Sequence, residues 1–164
     1  MIKLIGRSEL PALVGKNINI TYNRLLAQID TLALVLKDVR DKRIVIFSEN
    51  RSEWILALYA AWKNGAIVVP VDVLSSREDV AYILHDCDPR AVFCSAEKQV
   101  FVQDTLKDAG RNPEVLVFEN LVTDPSPAEP ADFVIDDIDR TAVILYTSGT
   151  TGNPKGVMLS FKNI

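Results

Sequence analysis

The sequence predicts an α/β protein, a doubly wound, mostly parallel sheet with flanking helices. Short apolar runs alternate along the chain with segments whose apolar residues recur at helical spacing, the pattern of strands wrapped by crossover helices. Runs such as Ile44-Val45-Ile46-Phe47 are continuously apolar and lack in–out alternation, so they belong in strands buried on both faces. A loop of hydroxyls, glycines and one lysine, Thr147 to Gly156, follows the carboxyl end of one such run. Ligands of doubly wound sheets sit at that end of the strands.

The first twenty residues read as irregular, punctuated by Pro11 and Gly15, with a short strand allowed where Ile18 and Ile20 alternate with Asn17 and Asn19. Thr21 is placed to cap a helix from about Tyr22 to Leu36, with Leu25, Leu26, Ile29, Leu32, Ala33 and Leu36 on its buried face. Arg43 to Ser48 is a buried strand. Asn50 is expected to cap the next helix, with Glu53 reaching back to it. That helix carries Trp54, Ile55, Leu58 and Trp62, both tryptophans reading as core, and it stops at Gly65. Ala66 to Val69 is a second strand, ended by Pro70. Ser75 to Glu78 form another capping box, opening a helix through Val80, Ile83 and Leu84. Ala91 to Cys94 and Val115 to Phe118 are further strands, separated by a helix from Glu97 to Ala109 with Gly110 beyond its end. Thr123 to Asp139 holds three prolines, six acidic residues and no base, and reads as a surface connector kept away from phosphates. Ala142 to Tyr146 is the strand that delivers the loop, and Val157 to Leu159 leads out of it.

A chain of 164 residues fits about one domain, and an apolar share of 48% supplies a sizeable core. The net charge of −4 and the absence of a basic patch argue against nucleic acid. Cys87 and Cys94 are too few for a disulfide scaffold and lack CxxC spacing. With His85 and Asp86 they make a poor zinc set, so buried thiols are the expectation. Without a signal pattern or an apolar run of membrane-spanning length, the chain is expected in the cytoplasm, with a peripheral place at a membrane left open. Asn19-Ile20-Thr21 and Asn50-Arg51-Ser52 are then chance matches to the glycosylation pattern.

Three of the seven glycines fall between Gly149 and Gly156. Glycines let successive N–H groups turn inward, which suits an anion. Thr147, Ser148, Thr150 and Thr151 add hydroxyl donors, Lys155 adds a cation, and Pro154 stiffens the approach to it. Together they suit a polyphosphate. The loop is not a Walker A motif, because Pro154 stands where its second glycine is needed and Lys155 precedes Gly156. Nor is it a nucleophile elbow, which needs glycine where Tyr146 stands. The ordered string Tyr146-Thr147-Ser148-Gly149-Thr150-Thr151-Gly152-Asn153-Pro154-Lys155-Gly156-Val157 resembles the phosphate loop of the adenylate-forming superfamily, which includes acyl-CoA synthetases, luciferases and peptide-synthetase adenylation domains. Ile20-Thr21-Tyr22 resembles the opening helix of that family, and Trp62 to Asp72 its second core motif. Ser48 to Trp54 is similar to a stretch of fatty acyl-CoA ligases, and Tyr82 to Asp86 also follows the family. These middle motifs read as packing.

The resemblance implies a fragment of an ATP-dependent acid–thiol ligase. A carboxylic acid, in the first place a fatty acid, would be activated as acyl-AMP with release of pyrophosphate and passed to coenzyme A. An amino or aryl acid is the runner-up substrate, and a non-catalytic α/β nucleotide-binding module is the alternative of another class. By resemblance, Thr147, Ser148, Gly149, Thr150, Thr151 and Gly152 hold the β- and γ-phosphates, Lys155 and Thr150 serve catalysis, and Thr150 approaches Mg²⁺. Residues 1–164 would be the N-terminal part of an AMP-binding domain, with 123–139 as a connector within it. The adenine, ribose and acyl contacts, the glutamate partner of Mg²⁺ and a catalytic lysine are expected further on. The isolated segment is then expected to be inactive and to self-associate. Phe161 stands where many acyl-CoA ligases carry histidine, which puts in question a polar contact at that position.

Overall fold

Every residue from Ile44 to Phe47 is buried, and the four alternate between two helical layers. The computed structural model describes residues 2–16, 18–121, 124, 129–147 and 153–164. Its strands are β1 (Ile2–Ile5), β2 (Pro11–Gly15), β3 (Ile18–Thr21), β4 (Arg43–Phe47), β5 (Ile67–Pro70), β6 (Ala91–Cys94), β7 (Glu114–Val117), β8 (Phe133–Ile135), β9 (Thr141–Thr147) and β10 (Lys155–Ser160). Its helices are α1 (Tyr22–Ala33), α2 (Ser52–Lys63), α3 (Arg77–Cys87) and α4 (Gln99–Asp108).

Among the described residues the central sheet has six strands in the order β10-β9-β5-β4-β6-β7. β4 lies parallel to β5 and β6, with Val45 between Val69 and Val92. β7 extends the parallel block beyond β6, and β9 joins β5 in parallel through Val68 and Val143. Ile44 and Ile46 pack against Leu25, Ile29, Leu32 and Leu56 of α1 and α2. Val45 and Phe47 pack against Val80, Leu84, Val102 and Leu106 of α3 and α4. Helices therefore cover both faces, as the sequence predicts. A side chain fully buried in this way contributes roughly 1.5–3 kcal/mol.

The helix ends differ from expectation in ways that have local causes. Thr21 does cap α1, its hydroxyl accepting from the amide of Arg24 at 3.3 Å. The helix stops at Ala33 instead of Leu36, because the Asn64 amide donates to the carbonyls of Ala33 and Leu36 at 2.6 and 2.8 Å and satisfies them outside a helix. Arg51, not Asn50, is the N-cap of α2, and no side chain caps it. Glu53 turns to Arg51 and Ser52 instead, at 3.0 Å to each, since a guanidinium is a stronger partner for a carboxylate than a backbone amide. The box of α3 is set one residue later than expected: Ser76 accepts from the Asp79 amide at 3.1 Å and donates to its carboxylate at 2.9 Å, while Ser75 closes a turn onto Asp72. A 3₁₀ turn, Ala96–Lys98, precedes α4, and Gly110 ends it with a φ of +64°.

The first twenty residues are more regular than their sequence suggests. β2 and β3 form an antiparallel hairpin, and β1 pairs antiparallel with β8. β8 lies inside the stretch expected to be a surface connector. Phe133 and Ile135 point inward beside Ile5, and the ring of Tyr59 meets Phe133 edge-on at 5.7 Å. This apolar pair anchors the acidic segment, whose residues 123 and 125–128 lie outside the described residues.

Candidate functional site

The carboxyl ends of β4, β5 and β9 open into a cleft of about 560 Å³, the position a doubly wound sheet offers to ligands. Ser48 and Glu49 follow β4, Asp72 follows β5, Leu145 and Tyr146 end β9, and Trp54 leans in from α2. Trp54 is half-buried, packed against the core as expected while also forming part of the cleft wall. Trp62 is buried in the core, and its indole donates to the Ala142 carbonyl at 2.9 Å.

The Glu49 carboxylate accepts from Ser48 at 3.0 Å and from Ser95 at 3.3 Å. Its own backbone N–H and these hydroxyls hold its pKa below the usual carboxylate range, so the cleft carries a negative charge on that side. Beside it, Arg51 donates to Glu53 at 3.0 Å and to Glu119 at 2.6 Å, with its guanidinium 5.3 Å from the centre of the Phe118 ring. Glu119 also accepts from the Ala96 amide at 2.8 Å. The network ties the turns after β4, β6 and β7 together and leaves Arg51 engaged by protein partners.

The expected phosphate loop joins β9 to β10. These strands pair antiparallel with Thr147 opposite Lys155 and Tyr146 opposite Gly156, so the loop's two stems lie side by side next to the cleft. Thr147 and Lys155 are exposed, and among the described residues no hydrogen bond or ion pair engages the Lys155 ammonium. Ser148, Gly149, Thr150, Thr151 and Gly152 lie outside the described residues. The arrangement thus gathers Thr147 and Lys155 at one end of the sheet.

Sequence reasoning named Asp86 in a poor zinc set and in a stretch read as packing but missed its pairing: its carboxylate accepts from the Tyr146 hydroxyl at 2.5 Å. A usable signal was present: an aspartate in the last turn of α3 sits against the helix dipole and needs a local partner. Phe161 is not part of the cleft. It is buried edge-on against Trp62 at 5.1 Å, with the Arg140 guanidinium 5.4 Å from its ring centre, so this position serves core packing. Cys87 and Cys94 are buried free thiols, pushed up by burial to about 12 and about 11, and inert as nucleophiles. His85 lies 3.1 Å from the Ala109 carbonyl, and the described residues hold no cluster of three or more His, Cys, Asp or Glu fit for a metal ion.

Residues 6–164 match the family model of the AMP-binding enzymes. The chain belongs to that family. Among curated relatives of this chain, tyrocidine synthase 1 of Brevibacillus parabrevis is 32% identical over 163 residues, covering 93% of this chain and 14% of the relative. The long-chain-fatty-acid–CoA ligase FadD15 of Mycobacterium bovis is 31% identical over 137 residues, covering 74% of this chain and 22% of the ligase. The crystal structure of ATP-bound MatB from Rhodopseudomonas palustris superposes with a TM-score of 0.70 at 28% identity, over 88% of this chain and 30% of that one. The chain therefore spans well under half the length of these relatives. The family is adenylate-forming, the MatB structure holds ATP, and the mostly parallel sheet is that of the family's N-terminal domains. No helix among the described residues is long and apolar enough to cross a membrane.

Proposed function

We propose that this chain supplies the pyrophosphate-handling part of an enzyme that activates a carboxylic acid as acyl-AMP and transfers the acyl group to the thiol of coenzyme A. The supporting observation is the paired stem of Thr147 and Lys155 beside the cleft at the carboxyl end of the sheet. In the first half-reaction a carboxylate oxygen attacks the α-phosphorus of ATP. The bond from that phosphorus to the oxygen bridging to the β-phosphorus breaks, and pyrophosphate leaves with its negative charge. In the second, the thiolate attacks the acyl carbon and AMP departs. Lys155, free of protein counter-ions among the described residues, offers fixed positive charge to the departing pyrophosphate. Thr147, Ser148, Gly149, Thr150, Thr151 and Gly152 are the proposed donors to its oxygens.

Mg²⁺, when bound, would offset charge on the triphosphate, and Thr150, its proposed neighbour, lies outside the described residues. Lys155 and the loop donors are the chain's proposed share of the charge stabilisation.

A fatty acid is the proposed substrate. Ser48 to Trp54 resembles the fatty acyl branch, and the likeness to a long-chain-fatty-acid–CoA ligase supports it. An amino or aryl acid is the second reading, favoured by the likeness to tyrocidine synthase 1 over 93% of the chain. Exchange of labelled pyrophosphate into ATP by the full-length protein, with a panel of fatty, aryl and amino acids, separates them. Exchange with a fatty acid supports the first reading, and exchange with an amino or aryl acid replaces it with the second. Triphosphate binding with no exchange for any acid points to a non-catalytic binding module.

A further inference from the structure

We infer that Asp86 and Tyr146 form a latch that positions the stem of the phosphate loop, an inference that rests on the adenylation reading above. Tyr146 immediately precedes Thr147 in β9, and its hydroxyl donates to the Asp86 carboxylate on α3 at 2.5 Å. That bond crosses from the sheet to a helix packed on it, and it fixes the strand one residue before the loop begins.

The ring of Tyr146 makes a second contact. It leans across to β10, where a Cβ on Gly156 would come within 3.1 and 3.3 Å of the ring carbons and 2.9 Å of Ile144. Glycine is needed at position 156 for this close approach. Tyr146 therefore touches both stems of the loop, through its backbone on one side and its ring on the other, with Lys155 as the next residue along.

Asp86 has no ion-pair partner among the described residues, and its place in the last turn of α3 opposes the helix dipole. The Tyr146 hydroxyl compensates for that placement. Burial, then the Asp86 carboxylate, pushes the Tyr146 phenol well above its ordinary pKa, so it remains a donor across the physiological range. Asp86 is not among the residues that line the cleft. It is a positioning residue, acting through Tyr146 on where Thr147 and Lys155 stand.

The test uses the full-length protein with Asp86→Ala, Asp86→Asn, Tyr146→Phe and the Asp86→Ala/Tyr146→Phe pair. Pyrophosphate exchange is compared with acyl transfer from preformed acyl-adenylate, in which no pyrophosphate leaves. Asp86→Ala and Tyr146→Phe are each expected to slow exchange by about ten- to a hundredfold, the scale of a misplaced catalytic group. Acyl transfer should stay within about twofold. The double variant should be no worse than the poorer single, because both break one bond. Asp86→Asn keeps an acceptor oxygen and should recover part of the rate. Equal loss in both half-reactions, or unchanged exchange in Asp86→Ala, overturns the latch. If the wild-type protein exchanges with no acid, the adenylation reading fails instead, and calorimetric titration with inorganic triphosphate decides the latch. Weaker binding by Tyr146→Phe, whose ring still rests on Gly156 and keeps the fold, supports it. Equal binding overturns it.

Discussion

From Ile44 to Phe47 every side chain of β4 is buried, whereas β10, at the edge of the same sheet, leaves residues 155–158 exposed. The two strands answer to different constraints. In β4 both faces of the pleat meet helices, so burial alone selects Ile, Val and Phe. In β10, Lys155 faces solvent beside the loop, Gly156 makes room for the Tyr146 ring, and Val157 and Met158 are left exposed. Fold stability is concentrated where the sheet is parallel and covered. The proposed chemistry hangs from an antiparallel hairpin at its margin. Substitutions in the two regions should therefore separate stability from activity.

The largest stability effect is expected at the centre. Phe93 in β6 is fully buried and stacks on Phe118 at 5.6 Å. Phe93→Ala should cost about 3–5 kcal/mol, a large part of the stability of a domain this size. Denaturant titration would show it as a lower midpoint, and a midpoint that stays in place would mean that the core is not where the structure puts it.

At the edge, Lys155→Ala should leave that midpoint within about 0.5 kcal/mol of wild type, since the ammonium is exposed and makes no described contact. The same change should slow adenylation by about ten- to a thousandfold, as for other lost charge-stabilising donors. Thr150→Ala belongs to the same expectation. A Lys155 variant that loses stability and activity in step would erase the contrast between centre and edge.

The same contrast explains what the sequence discloses. The parallel block was legible because a residue buried on both faces leaves a continuous apolar run, and Ala91 to Cys94 was bounded to the residue. The strands on either side of the loop were legible in the same way, Ala142 to Tyr146 falling within β9 and Val157 to Leu159 within β10. β1 and β8 escaped notice because each is short and finds its partner more than a hundred residues away, Lys3 opposite Val134. No local pattern encodes such a pairing. Asn50 looked like a cap because the sequence does not show that Glu53 prefers the Arg51 guanidinium. The bond between Asp86 and Tyr146 was hidden for a similar reason, since the two residues belong to different elements.

Trp62 joins the two regions. Its indole donates from α2 to the Ala142 carbonyl in β9, and its ring meets Phe161 just past β10. Trp62→Phe keeps an aromatic ring but leaves the carbonyl without that donor in a buried setting, at a cost of about 1–3 kcal/mol. Because Ala142 lies at the far end of β9 from Tyr146, pyrophosphate exchange should fall less than twofold in this variant while the melting temperature drops. A large loss of exchange without a stability change would mean that the hairpin transmits shifts along its length, and the separation of roles would have to be given up.

The smallest effect is expected in acid. Arg51 beside Glu53 holds that carboxyl below its ordinary value of 4.5, and Glu119 is lowered by the same guanidinium. The unfolded chain binds protons at these groups before the folded one does, so stability falls as the medium is acidified. Their contribution is complete above the unfolded carboxylate value and is lost as pH drops through the lower folded values, that is, from about pH 5 downward. Both carboxylates remain partly exposed to solvent, and screening limits the pair to about 1 kcal/mol. Arg51→Ala should flatten the decline of melting temperature between about pH 6 and pH 3 relative to wild type, and 1 M salt should do the same to a lesser degree. This network borders the cleft at the covered end of the sheet, so it should not alter the pH dependence of pyrophosphate exchange near neutrality, where both carboxylates are ionised in every state. An Arg51→Ala protein with the wild-type acid profile would show that the guanidinium does not set the ionisation of Glu53 and Glu119. An altered exchange profile near neutral pH would move Arg51 from the scaffold into the site.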